Sequence, residues 1–325
     1  LKTAWIFAEA DARSAAAKKR VRFGIKVTLA LALVGWLASR GGRQEVLRCL
    51  AGVSPLPFTL ALAVYLAGQS LCAWKWGLLA GSLGFRRPLR FYWVHYLGAM
   101  FPSLFLPTGV GGDVFRTVVL ARGGGDKVGA TVSVLADRGT GVLGMAWIAA
   151  LACVAGPAVR LPALAEEAIY ALCASLTLGF LLPFFFRPAW ARRGFLGRVT
   201  ACWEHPRALL PAAGAATLFQ GMLCLVYALL GKALQVPVDP LFYLLACPVV
   251  SVAGMSPITI NGVGERVAAL VVLFGLVGVG QDRAVAFGLA WTAMVTLASL
   301  AGGAVLFISD RQANWAAGEN EEHGT

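Results

Sequence analysis

The chain has 325 residues, 58% of them hydrophobic and 14% charged, with a mean hydropathy of +0.73 and a formal net charge of +12. A soluble globular domain carries about 25% charged residues, so this chain has too little charge to cover a water-facing surface and is expected to lie in a membrane. The lysine and arginine excess suits loops that stay in the cytoplasm, and no basic element stands outside the apolar runs to hold a nucleic acid.

A helix that crosses a bilayer needs about 20 mostly apolar residues. The chain opens with a basic segment, 1–22, beginning at Leu1. The apolar stretch that follows, 25–41, resembles a signal-peptide core and is expected to stay in place as a signal anchor, because further spans follow. Full spans are then expected at 57–80, 128–155, 167–186, 208–232 and 284–308, six with the first. Pro55 and Pro57 open the second, and Arg187-Pro188 closes the fourth. Residues 23–309 read as one all-α polytopic membrane domain, and the polar tail, 310–325, is expected to be loose and cytoplasmic.

Two regions do not fit this count. Residues 91–122 hold an apolar leg, FYWVHYLGAMFPSLFLP, then a Gly-rich break and a short second leg. Residues 241–279 hold LFYLLACPVVSVAGMSP, a break, and VAALVVLFGLVGVG. The breaks match. PTGVGGDVFR (Pro107 to Arg116) and PITINGVGER (Pro257 to Arg266) each place a proline before Gly-Val-Gly, and an acid and an arginine after it. Gly109-Val110-Gly111 falls on Gly262-Val263-Gly264 at an offset of 153 (262 − 109), which also lays Val118-Val119-Leu120 on Val271-Val272-Leu273. The expectation is an internal repeat, about 57–155 and 208–308. With the N-terminus inside, cytoplasmic segments hold most of the loop cations, Arg86, Arg87, Arg90, Arg192 and Arg193 among them. That bias holds if each broken region is a re-entrant hairpin returning to its own side. The repeats are then inverted, with a site where the hairpins meet.

In lipid every backbone N–H and C=O must be paired, so a broken helix is tolerated only inside protein or beside a watery cavity. Gly109, Gly111, Gly112, Gly262 and Gly264 permit the turns, and a leg restarting after a turn offers an anion its N–H groups. Arg116 and Arg266 add full charges suited to phosphate; alternatively each pairs with its neighbouring acid, Asp113 or Glu265, and pins the turn. Asn261 is counted with these binding residues. Asp137 and Arg138, in LADRGTG, lie inside a span, where charge faces a cavity or a partner. Asp137 either carries a coupling proton or holds an arginine. Lys75, between Trp74 and Trp76, either snorkels to the interface or touches substrate. Seven scattered cysteines without CxxC spacing and three distant histidines give neither a disulfide framework nor a metal site, and no cofactor is expected.

The series AWKWGLLAGSLG, PTGVGGDVFRTVVLAR, SVLADRGTG and PITINGVGERVAALVVLFGLVGV, in this order and over nearly the whole chain, resembles the flippase-like membrane region of lysylphosphatidylglycerol synthases and its stand-alone relatives. The resemblance implies a protein that carries or handles lipids across the bacterial inner membrane: aminoacylated phosphatidylglycerol, hopanoids and other isoprenoid-type lipids. It puts Asp113, Arg116, Asp137, Arg138 and Arg266 on the family's charged motif positions. Its implied partners are the lipid and the bilayer, with a homo-oligomer or a partner from lipid biosynthesis left open. Two positions depart. The family's second break commonly reads Gly-x-Gly-x-Arg-Glu, whereas Glu265 here precedes Arg266, and Lys75 stands where arginine is commoner, which weakens a bidentate role. The synthase's aminoacyl-transfer domain has no counterpart after residue 309, so the expectation is a transporter and not an enzyme. A lipid-linked transferase is disfavoured because no Asp-x-Asp pair, nucleophile elbow or histidine cluster is present. A non-transporting scaffold of lipid biosynthesis stays open.

Overall fold

The computed structural model describes residues 43–105, 111–122, 126–155, 163–186, 194–255 and 262–322, and among these every regular element is helical. In chain order they are α1 (Arg43–Ala51), α2 (Pro55–Ser82), α3 (Leu89–Phe105), α4 (Gly111–Ala121), α5 (Lys127–Val154), α6 (Ala163–Phe185), α7 (Gly194–Ala201), α8 (Pro206–Ala233), α9 (Phe242–Ala253), α10 (Val263–Leu276) and α11 (Gln281–Glu322). A 3₁₀ turn, Cys202–Glu204, precedes α8.

Local chemistry sets several helix starts. Both α2 and α8 begin at a proline, whose fixed φ suits the first turn and whose missing N–H needs no partner there. Asp126 caps α5 by accepting from the Val128 N–H at 3.1 Å; the same carboxylate meets Arg198. Among the described residues five helices are long and apolar enough to cross a bilayer: α2, α5, α6, α8 and the Gln281–Ser309 part of α11. The chain is therefore a multi-pass membrane protein. The sixth expected span, 25–41, lies outside the described residues. α11 continues through the polar tail as far as Glu322, where alanine, glutamine and glutamate favour continuation.

The two broken regions become pairs of short helices. α3, α4, α9 and α10 have 17, 11, 12 and 14 residues. At 1.5 Å per residue these are roughly 26, 17, 18 and 21 Å long, each less than the ~30 Å hydrocarbon layer. Each half thus runs long, short, short, long. α3 starts 153 residues before α9 (89 and 242), and α5 starts 154 before α11 (127 and 281).

Packing repeats this order. In the first half α2 packs on α3, α3 on α4 and α4 on α5; in the second α8 packs on α9, α9 on α10 and α10 on α11. Between halves α2 packs on α8, α3 on α11 and α5 on α9. Exchanging the halves leaves this set of pairs unchanged. Small residues bring the backbones close where helices from the two halves cross, as in membrane bundles generally. A Cβ at Gly302 of α11 would overlap the Leu97 carbonyl oxygen of α3, and one at Gly144 of α5 would lie 3.0 Å from the Ala216 carbonyl of α8. α6 buries none of its residues. It rests mainly on α5, where Trp147 Nε1 donates to Thr177 Oγ1 at 2.8 Å, and its apolar sides suit contact with lipid.

The second half holds the larger core. Tyr227, Phe242, Tyr243, Phe274 and Phe287 are buried together, in edge-to-face and tilted pairs 5.4–6.5 Å apart with one stacked pair. The first half has a smaller cluster around Trp76, Tyr92 and Leu120.

Candidate functional site

The first break organises a ladder of alternating charges. α4 restarts at Gly111, and its first two turns carry Asp113 and Arg116 on one face, three residues apart. Gly112 gives the turn room: a Cβ there would sit 2.6 Å from Ser103 Oγ on α3. Asp113 stands in the first turn, where the helix dipole favours an acid. Arg116 donates to Asp113 Oδ1 at 2.6 Å and to Asp137 Oδ2, on α5, at 2.8 Å. Its Cζ lies 4.6 Å from the Tyr96 ring centroid and 5.2 Å from that of Trp76, so aromatic faces cover the guanidinium that the acids leave open.

Both ends of the ladder are cations. Lys75 of α2 donates to the main-chain oxygen of Asp137 at 2.9 Å. Its Nζ also lies 3.0 Å from Asp137 Oδ1, off the hydrogen-bond axis, so that contact is an ion pair alone. At the other end Arg138 meets both oxygens of Asp113, at 2.9 and 3.1 Å. Lys75, Arg116 and Asp137 are each 3% exposed, whereas the Arg138 side chain is 52% exposed. Among the described residues the ladder sets three cations against two carboxylates, with its exposed end at Arg138.

These contacts decide several sequence readings. Lys75 does not snorkel: a carboxylate and a carbonyl from α5 reach it inside the bundle. Asp137 has the pairing geometry, with one oxygen on Arg116 and the other beside Lys75. Arg116 does pair with Asp113, but it also bridges to α5, so it ties helices together rather than pinning one turn.

The second break is built differently. Gly262 has φ +66, in the left-handed region, and a Cβ there would lie 2.7 Å from Gly254 Cα. Glycine is needed on both counts: the end of α9 and the start of α10 pinch together at this pair. Gly264, buried, follows in the first turn of α10, with Glu265 and Arg266 after it. No ion pair joins Arg266 to Glu265, in keeping with neighbouring helix residues pointing about 100° apart. Among the described residues Arg266 meets no carboxylate. Its guanidinium lies against Gly254, where a Cβ would be 2.6 Å from Cζ, and 5.9 Å from the Trp291 ring centroid. The Tyr227 hydroxyl lies close to it and is buried, with no hydrogen-bond partner of good geometry among the described residues.

The structure therefore brings Lys75, Asp113, Arg116, Asp137 and Arg138 into one cluster, with Gly111 and Gly112 beneath it. Arg266, Gly262 and Gly264 form a second cluster. Arg116 touches Trp76 and Arg266 lies near Tyr65, residues eleven apart on α2 (76 and 65), or roughly 16 Å along the helix. Gly109 and Asn261 lie outside the described residues. Sequence reasoning missed the aromatic lining: Trp76 and Tyr96 at the first break, Tyr65, Tyr227 and Trp291 at the second. The spacing of the helix starts was the available signal, because an offset of 154 (281 − 127), one more than that of the breaks, lays Leu289-Ala290-Trp291 on Leu135-Ala136-Asp137.

The whole arrangement, with five long apolar helices and two glycine-built breaks, lies mostly within residues 23–303, which match the family model described as lysylphosphatidylglycerol synthase TM region. The chain belongs to that family. A search of curated proteins finds no match. Both breaks and every charge of the ladder fall inside the part that matches the synthase TM region.

Proposed function

We propose that this protein is a flippase-like transporter, not an enzyme, that moves an amphiphilic lipid across the bacterial inner membrane. Its cargo is an anionic lipid or one of isoprenoid or hopanoid type. α3–α4 and α9–α10 act as re-entrant hairpins of two inverted repeats, and the lipid headgroup passes between them. The family supports this reading, as does the exchange symmetry of the helix pairs.

One observation carries it: a half-exposed arginine at mid-span, wired to a buried charge ladder. Arg138 lies eleven residues into α5 (127 to 138), roughly 16 Å from the helix start. A charge at that depth needs water, protein or a polar headgroup beside it. An aqueous or headgroup-filled cleft at Arg138 meets that need, and such a cleft is what a lipid headgroup requires to cross.

The test is reconstitution of the full chain into vesicles carrying headgroup-labelled phosphatidylglycerol, and separately a labelled polyprenyl phosphate, with a membrane-impermeant quencher outside. Protein-dependent loss of protection for either lipid supports transport. Rates equal to those of protein-free vesicles for both overturn it in favour of the scaffold reading.

A further inference from the structure

At the first break every carboxylate has cations on it, and Arg116 has two acids and two rings. The second break leaves donors over. A guanidinium carries five N–H donors in a planar fork, yet among the described residues Arg266 makes neither an ion pair nor a hydrogen bond of good geometry. Facing it is the Tyr227 hydroxyl, on a residue that is 0% exposed and without a hydrogen-bond partner. A buried hydroxyl left unpaired costs about 1–3 kcal/mol, and in native proteins such a group usually has a functional reason or a bound partner. Two unsatisfied groups that share a missing acceptor point to the same reason.

Four helices meet at this place. α10 supplies Arg266, α8 supplies Tyr227, α2 supplies Tyr65 and α11 supplies Trp291. The Tyr65 and Tyr227 rings lie 5.8 and 4.8 Å from the Trp291 ring. Gly254 has no side chain to hold the guanidinium away from α9. The α10 N-terminus, with Gly262 as its cap residue, adds the positive end of its dipole. Arg266 brings a full positive charge and the Tyr227 hydroxyl can donate, whereas Glu265, the one acid in the first turn of α10, points about 100° away from Arg266. An oxyanion accepts from both donors, and the fork of arginine matches two oxygens of one phosphate. The aromatic walls suit the apolar portion next to such a group.

We propose that Arg266 and Tyr227, walled by Tyr65 and Trp291, form the binding site for the phosphate oxygens of a phosphodiester or phosphomonoester headgroup, while the Arg116 ladder is the frame beside it. The assignment of that phosphate to the transported lipid rests on the transport reading above.

Titration of the purified full chain in neutral detergent tests it, with three probes: dioctanoyl-phosphatidylglycerol, dioctanoylglycerol and inorganic phosphate. The expected result is saturable binding of the phospholipid at least tenfold tighter than that of dioctanoylglycerol, with the preference lost in Arg266→Ala. Tyr227→Phe should weaken the phospholipid severalfold while leaving the melting temperature unchanged, since it removes a hydroxyl that has no hydrogen-bond partner among the described residues. Should Arg266→Ala fail to fold, Tyr227→Phe carries the test alone. Wild-type affinity in Tyr227→Phe together with any folded Arg266 variant overturns the site. Competition by millimolar inorganic phosphate, with no preference for the phospholipid, overturns the lipid headgroup as its ligand and leaves a free-phosphate site. Transport and binding separate cleanly. Unchanged lipid movement in Arg266→Ala vesicles sinks this site and spares the transporter, whereas Arg266-dependent binding without movement by the wild type sinks the transporter and spares the site.

Discussion

At the first break Lys75, Asp137 and Asp113 stand where the second break has Tyr227, Trp291 and Arg266. Lys75 and Tyr227 each follow a Leu-Cys step by three residues (Cys72 and Cys224). Asp137 and Trp291 each lie ten residues after the first residue of their helix (127 and 281). Asp113 and Arg266 each lie two residues after the last glycine of a Gly-Val-Gly. These positions thus hold a chain of ion pairs in one half, and in the other aromatic rings around a cation that meets no carboxylate among the described residues. Charges that neutralise one another hold helices in place, and a cation left over can hold something else. The halves share the helix order long, short, short, long, but the side chains at their breaks differ in kind.

Truncating the two arginines should separate the halves most sharply. Arg116→Ala leaves Asp137 and Asp113 short of their shared partner in the interior. Breaking a buried ion pair by removing one member costs about 3–5 kcal/mol, and the chain should melt correspondingly lower in detergent, as followed by size exclusion after heating. Arg266→Ala strands no carboxylate among the described residues and should cost under about 1 kcal/mol, in the range of substitutions away from such networks. Equal losses of melting temperature in the two variants would erase the distinction between frame and binding site.

Lys75 gives a smaller and more pointed effect. Lys75→Met keeps most of the stem but removes the hydrogen bond and the ion pair to Asp137, which still has Arg116. A hydrogen bond to a charged group contributes about 1.5–3 kcal/mol, so the loss should fall below that of Arg116→Ala. It should also leave the remaining two cations and two acids balanced. A Lys75→Met chain that melts with the Arg116→Ala chain would mean that Lys75, not Arg116, is the centre of the ladder.

Much of the frame was legible from residues acting locally. Prolines at 55 and 206 and the aspartate at 126 mark helix starts by their own chemistry, and a run of apolar residues needs no partner to be recognised. The charges of the ladder stood out because charge in an apolar run is conspicuous. Their wiring was not legible, because Lys75 reaches Asp137 across 62 residues of chain and its alternative, snorkelling along its own helix, is equally consistent with the local pattern. That Arg266 meets no carboxylate among the described residues was hidden for a related reason: Glu265 beside it suggested a pair, yet neighbouring helix residues point about 100° apart. Trp291 gave no signal in a helix already rich in large apolar side chains. Only its register with Asp137 marks it.

The smallest effect belongs to Arg138, and it tests where the ladder opens. The side chain is 52% exposed and shares Asp113 with Arg116. Ion pairs that solvent reaches contribute about 0–1 kcal/mol, so Arg138→Gln should shift the melting temperature little, with Asp113 still held by Arg116. Exposure at mid-span has two physical meanings, however. If the exposed face meets hydrocarbon, the charge is costly there and its removal should stabilise the chain; if it meets an aqueous cleft, stability should hardly change. Labelling separates these. In a chain whose own seven cysteines are replaced by alanine or serine, Arg138→Cys should react with a water-soluble, membrane-impermeant thiol reagent. Lys75→Cys, one helix deeper and 3% exposed as lysine, should not. Protection of both positions, with a gain in stability for Arg138→Gln, would place the exposed end of the ladder against lipid and leave the first break without an opening to water.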